Sequence, residues 1–344
     1  MDKNSFCIEI SENLVRVVDA KLDNQQIEIN ALGYQIDTPR FFSSESDRII
    51  DDEVKIIEKL VSRLNIKKKN VNIVVPDSNT YSQVLSMPTL KEKELLAAIK
   101  YQADQFIPLP LEETAIDLDI IYEDKTNKKI LILIVAAPYK LINKVEKTIE
   151  TAGYIPESIE NEASAISRFL ANHYKNPSKK TSDGTLFLNF GDISSSLYFF
   201  NPAYNLVTDV HNFKIGWNLF LKEVQVNFNF DLNKSRDILT HIGLSQEGSY
   251  NFEEVLKPVL TELISEISKF ISSIKAKQND INITQIVLFN LANKVHFLEK
   301  KVQDNLGINA SVFDLFALVK KNQIIEPYKK ELSSFVTAIS GNLS

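Results

Sequence analysis

At 344 residues, 44% hydrophobic and 24% charged, the chain has the composition of a folded soluble protein and the length for two packed domains. Its net charge of −6, with both signs interspersed, supplies no basic field for nucleic acid, and Lys67-Lys68-Lys69 reads as a solvated turn. A single cysteine, Cys7, excludes an internal disulfide framework and a cysteine metal site, and His173, His211, His241 and His296 lack ligand spacing. The opening MDKNSF has no apolar signal core. The longest aliphatic run, 130–137, falls well short of the roughly 20 residues that span a bilayer. A cytosolic chain without direct membrane insertion is expected.

In chain order, 6–10 and 14–20 read as strands joined by Ser11-Glu12-Asn13, with 26–32 a third. Segment 51–64 places Val54, Ile57, Leu60, Val61 and Leu64 on one side of a helix. Strands follow at 71–75, ending in Pro76-Asp77-Ser78, and at 81–87. Next comes a capped amphipathic helix. Pro88 precedes Thr89-x-x-Glu92, a capping box, and Leu95, Leu96, Ile99, Ala103 and Phe106 share one face. Pro108 and Pro110 stop it, since neither donates an N–H and each extends its predecessor.

Segments 114–122 and 129–137 form a hairpin across a polar turn, and 141–151 is a helix closed by Gly153. Ile155-Pro156 begins a connection, 160–172 is again helical, and 173–184 lacks any apolar period, as a linker does. The pattern then restarts, with strands at 185–190, 195–200 and 205–211. Helices are expected at 218–228, 232–242 and 252–276, the last with an apolar stripe from Leu256 to Ile274. A strand at 283–289, a helix at 295–306, a short strand at 311–313 and a helical tail at 331–339 complete the chain. Two halves with the same opening predict a duplicated α/β fold. They span 1–172, with an inserted subdomain at about 76–156, and 185–344, with 173–184 between them.

Met87-Pro88, Glu94-Leu95, Ala98-Ile99, Gln105-Phe106-Ile107-Pro108, Pro110 and Glu112-Glu113 resemble, in order and spacing, a segment of the type IV pilus assembly protein PilM family. The resemblance extends over nearly the whole chain and is most specific between Pro76 and Pro156. It implies an actin-like (ribonuclease H-like) fold of two domains, with a small inserted subdomain in the first. It also implies a cytoplasmic scaffold at the inner face of the cell membrane, with other pilus platform proteins and further copies of itself as partners. In the family, the cytoplasmic N-terminal peptide of the membrane protein PilN lies in a groove between the first large subdomain and the insert. Ile99, Gln102, Ala103, Phe106, Ile107 and Leu109 are the candidates for the groove wall, the alternative being that they fill the core of the insert.

Actin-like folds hold ATP between the halves, with glycines at the phosphates and acidic residues orienting magnesium. The first phosphate turn of the family resembles Ile8 to Asp19, but Glu9 stands at its Asp position and Ser11 at its Gly position. Glu12 adds a carboxylate where phosphate oxygens would sit. The second turn resembles 188–195, keeping Gly191, Ser194 and Ser195 but carrying Asn189 for the acidic residue. The adenosine turn corresponds to Leu288-Phe289-Asn290-Leu291-Ala292-Asn293, without its glycines, and Gly216 matches a further turn but precedes Trp217. Weak or lost ATP binding is therefore expected, and no cofactor. If ATP and Mg²⁺ are retained, Ser11, Asn13, Gly191, Ser194, Ser195 and Gly216 hold the nucleotide and Glu9 the metal.

Ser194-Ser195-Ser196 lacks a neighbouring histidine and a nucleophile elbow, and Asp117 and Asp119 share one strand face as an exposed edge. Three readings stand: a pseudo-ATPase scaffold of a pilus, secretion or DNA-uptake platform, an active actin-like ATPase, and a cell-division actin homologue. The third calls for a membrane-binding amphipathic tail, and 333–344 has no basic face.

Overall fold

The computed structural model describes residues 4–44, 46–90, 94, 95, 97–99, 107–178, 180–245 and 251–343. Two five-stranded sheets repeat one topology. In the first, β1 (Ser5–Ile10), β2 (Leu14–Asp23) and β3 (Gln26–Ile36) run antiparallel, and β4 (Asn70–Val75) and β8 (Ile155–Asn161) extend β1 in parallel. The resulting order is β3-β2-β1-β4-β8. In the second, β9 (Asp183–Phe190), β10 (Ser195–Asn201) and β11 (Leu206–Phe213) take the antiparallel places. There β12 (Asn282–Asn290) and β13 (Asn309–Val312) take the parallel ones. A third sheet, β5 (Tyr81–Pro88), β7 (Lys129–Pro138) and β6 (Thr114–Asp124), is inserted after β4.

Burial explains why these segments take these forms. Every residue of β1 and of β10 is buried, because helices cover both faces of a central strand, so the apolar runs are continuous rather than alternating. Helix α1 (Asp47–Arg63) turns Ile50, Val54, Ile57, Leu60 and Val61 onto the first sheet, each contributing about 1.5–3 kcal/mol. Helix α2 (Tyr139–Thr151) packs beside it through Val145 and Ile149.

The inner face between the two sheets is closed by α3 (Glu162–His173) and by the last helix. On the outer face of the second sheet lie α4 (Trp217–Phe228), α5 (Leu232–His241) and the 26-residue α6 (Phe252–Lys277). Helix α7 (Leu298–Leu306) ends at Gly307, which takes the left-handed conformation at φ 66°.

Three segments differ from the sequence reading. Residues 155–161 are a strand, not a connection; Asn161 accepts from the Ser164 amide at 3.1 Å and so starts α3 only at Glu162. The helix expected from 295 begins at Leu298. The tail forms a 3-10 turn and then α8 (Val336–Asn342), every residue of which is buried. Asn342 accepts from the Ala20 amide at 2.6 Å and donates to the Ser5 carbonyl at 3.3 Å, so this segment is core of the first half rather than a surface helix. Among the described residues no helix is long and apolar enough to cross a membrane.

Candidate functional site

Two depressions flank the first sheet, and they are built in opposite ways. One lies between the halves, where the ends of β1, β9 and β12 meet. Arg16 on β2 is only 1% exposed, although a lone guanidinium costs several kcal/mol to bury. It is held by the Glu9 carboxylate and by Asn290, to which it donates at 2.5 Å. Asn290 donates to Asn189 at 2.7 Å, and Asn189 to Glu162 at 3.0 Å. Glu162 also accepts from the Asp77 amide at 3.1 Å, and the Asp77 carboxylate accepts from Ser196, Tyr198 and the Ala163 amide at 2.7–2.8 Å. This buried chain crosses between the halves at Arg16–Asn290, Asn189–Glu162 and Asp77–Ser196/Tyr198.

Burial raises the pKa values of Glu9, Asp77 and Glu162. Arg16 opposes the shift at Glu9, whereas the charges of Asp77 and Glu9 add to it at Glu162. Asn290 stands at φ 65°, a conformation suited to glycine, and its side chain uses that geometry to bridge Arg16 and Asn189.

The expected nucleotide residues gather here, with one exception. Ser11, Gly191 and Ser194 line a cavity of about 30 Å³ together with Glu12, Arg16, Glu162 and Asn290. That is room for about one water. Glu12 is held on one oxygen by Ser43 at 2.9 Å, and its other oxygen is buried without a partner. Asn13 donates across the cleft to Asp192. Gly216 packs so tightly that a Cβ there would stand 2.4 Å from the Asp192 carbonyl.

The N-terminus of α4 behind Gly216 is spent on the chain itself: Trp217 and Asn218 amides donate to Gly191 and Asp192 carbonyls, each at 2.9 Å. Ser195 is the exception. It is 2% exposed and donates to the Ile215 carbonyl at 2.6 Å, so it braces the turn instead of facing the cleft. Glu9, the expected metal residue, is committed to Arg16. An adjoining cavity of about 400 Å³ is lined by Tyr34, Arg40, Trp217, Arg236, Leu291 and Lys294. Two of its cations are already paired, Arg236 with Asp37 and Lys294 with Glu331. Among the described residues no group of His, Cys, Asp and Glu is arranged to hold a metal.

The second depression is a groove of about 250 Å³ between β8, α2 and the third sheet. Its apolar part comes from Ile116, Val135, Ala137, Leu141, Ile142 and Ile159. Asp117, Glu146, Glu157 and Glu160 stand around it, and the described lining contains no Lys, Arg or His. Only Glu160 is neutralised, by Arg168 at 2.8 and 2.9 Å.

Three of the residues expected in the groove wall belong to the core of the third sheet. Ile99 and Ile107 are 1% and 4% exposed in the core of the third sheet with Leu95, Ile132 and Ile134, and Leu109 packs against that core. Their helical spacing recorded a core face, which is the alternative the periodicity left open. Gln102, Ala103 and Phe106 lie outside the described residues. Sequence reasoning missed β8 as a wall because Pro156 and Glu157 interrupt its alternation. The Asn161 cap was the signal available, since it frees 155–160 from the helix. It also missed Arg16 as a cleft residue, although a charge in the run Leu14-Val15-Arg16-Val17-Val18 is conspicuous in a strand buried on both faces.

A profile of the type IV pilus assembly protein PilM family matches residues 7–341. A solved structure described as a PilM-PilN type IV pilus biogenesis complex superposes with a TM-score of 0.82 at 17% identity, covering 100% of both chains. Ethanolamine utilization protein EutJ from Carboxydothermus hydrogenoformans superposes with a TM-score of 0.50 at 8% identity, covering 98% of this chain and 89% of that one. With the repeated sheet topology, these matches make the fold the duplicated actin-like one.

Proposed function

We propose, from the premise that this chain belongs to the type IV pilus assembly protein PilM family, that it is a cytoplasmic scaffold of the pilus platform that does not work as an ATPase. It holds the N-terminal cytoplasmic peptide of a PilN-like membrane protein in the groove between β8 and the third sheet, and reaches the inner face of the membrane through that partner. The structural relative solved as a complex with PilN supports the choice of partner.

The observation that carries the pseudo-ATPase reading is Arg16. In the space where a nucleotide's phosphates and magnesium would link the halves, the chain's own guanidinium links Glu9 to Asn290, and the cavity at that point holds about 30 Å³, with the cavity of about 400 Å³ adjoining it. An incoming triphosphate would have to displace the buried Arg16–Glu9 ion pair and approach the unpartnered Glu12 oxygen, both unfavourable. Titration calorimetry of the purified chain with ATP and Mg²⁺ tests this. No heat is expected up to millimolar ATP, and micromolar binding overturns the reading.

A further inference from the structure

The lining of the groove shows more than its position. Six consecutive residues of β8, 156–161, border it. Successive side chains of a strand point to opposite faces, so a cavity lying over one face would touch only alternate residues. A cavity touching all six runs along the edge of the strand. Among the described residues that edge is free: β8 is the outermost strand of its sheet and pairs only with β4. The same holds opposite, where consecutive residues 115–117 of β6, the outermost strand of the third sheet, border the groove, while β7 contributes the alternate Val135 and Ala137. The two free edges thus face a common space without hydrogen bonding to each other. Unpaired edge N–H and C=O groups beside an apolar floor are what an added strand completes.

Charge narrows the occupant. Asp117, Glu146 and Glu157 are exposed, and the described lining offers them no cation. Asp117 accepts only from the adjacent Leu118 amide, and Glu157 from Asn70. Apolar side chains on the floor side and a basic one at the rim therefore complement the groove. We propose that an extended cationic segment of roughly six residues adds as a strand to the free edge of β8, with Lys or Arg side chains received by Asp117, Glu146 and Glu157. This rests on the reading that a partner peptide occupies the groove, and specifies the chemistry by which it does so.

The test uses the full chain and a synthetic peptide of the N-terminal cytoplasmic segment of its cognate PilN-like protein, with binding read by fluorescence anisotropy. Copies N-methylated at one residue at a time are expected to alternate, with about tenfold or greater losses at every second position, because only alternate amides of an added strand face its neighbour. Replacing the peptide's Lys and Arg by Gln, or combining Asp117→Asn, Glu146→Gln and Glu157→Gln in the protein, is expected to weaken binding about tenfold and to flatten its salt dependence. A peptide that binds with uniform methylation effects and unchanged affinity for the triple variant overturns the inference and leaves the partner reading standing. A peptide that does not bind overturns both.

Discussion

The cleft between the halves and the groove beside the third sheet are both lined by strands and carboxylates, yet they differ in what they leave unsatisfied. In the cleft, Arg16, Asn290, Asn189, Glu162 and Asp77 bond one another across the boundary and leave about 30 Å³ among them, beside the cavity of about 400 Å³ that Asn13 and Arg16 also line. In the groove, two strand edges stay unpaired and three carboxylates lack a cation in the described lining. A depression whose groups mostly bond one another gains less from a ligand, because binding must first break those bonds. One that holds open edges and charge gains from every bond a partner makes. On the proposed function, the groove rather than the cleft is where the chain depends on an external molecule.

The comparison breaks first at Arg16. Arg16→Met leaves Glu9 and the Asn290 carbonyl buried without their donor, and a loss of about 3–5 kcal/mol in stability is expected at pH 7 by denaturant titration. Glu9→Gln combined with Arg16→Met is expected to lose less than Arg16→Met alone, since no unpaired carboxylate is then left behind. A single variant as stable as the parent would mean that the cleft is not held shut by this pair.

The cleft should also announce itself in pH dependence. Asp77 and Glu162 have raised pKa values in the folded chain, chiefly through burial. Folding therefore takes up protons that the unfolded chain releases at ordinary carboxylate pKa values. Stability is fullest below those values and declines as pH rises through the folded ones. Glu53 on α1 contributes a separate decline of the same sign: burial lifts it from 4.5 to about 8, opposed by Lys144, and neither of its oxygens has a hydrogen-bond partner.

A single such group can supply at most roughly 1.4 kcal/mol per pH unit between its two pKa values. Glu53→Gln is thus expected to stabilise the chain at pH 8 by about 1–3 kcal/mol and to remove its own share of the slope. The decline that persists between pH 5 and 8 in that variant reports the cleft. A flat profile there would show that the cleft carboxylates titrate normally. Asn13→Ala, which cuts the side-chain link to the partly exposed Asp192, is expected to cost only about 1 kcal/mol.

Much of this architecture was legible because the two halves repeat one strand pattern and because continuous apolar runs such as 186–188 and 197–200 mark strands buried on both faces. The loss of glycines at Ser11 and Asn290 was equally visible. What replaced them was not. That Arg16 reaches from β2 to Asn290, 274 positions later, is a property of the closed fold with no local signal. The groove was hidden for a different reason. Ile99 and Ile107 have the spacing of a helix or turn with an apolar face, and spacing cannot distinguish a face that meets a partner from one that meets its own sheet. The residues that do line the groove, such as Asp117 and Glu157, look like ordinary surface charge until two sheet edges are brought together around them.

The smallest expected effect is also the one that separates the two depressions most cleanly. Asp117→Asn and Glu146→Gln, made singly or together, should change stability by no more than about 0.5 kcal/mol, because both side chains are exposed and neither closes a bond between elements. The change should lean towards stabilisation, since like charges around one groove repel, and added salt should erase it. Thermal denaturation of the variants at low and high salt measures both features. A loss above 1 kcal/mol would mean that these carboxylates already have a partner within the fold. The groove would then be a second self-satisfied cleft, and the contrast on which the assignment of the partner surface depends would disappear.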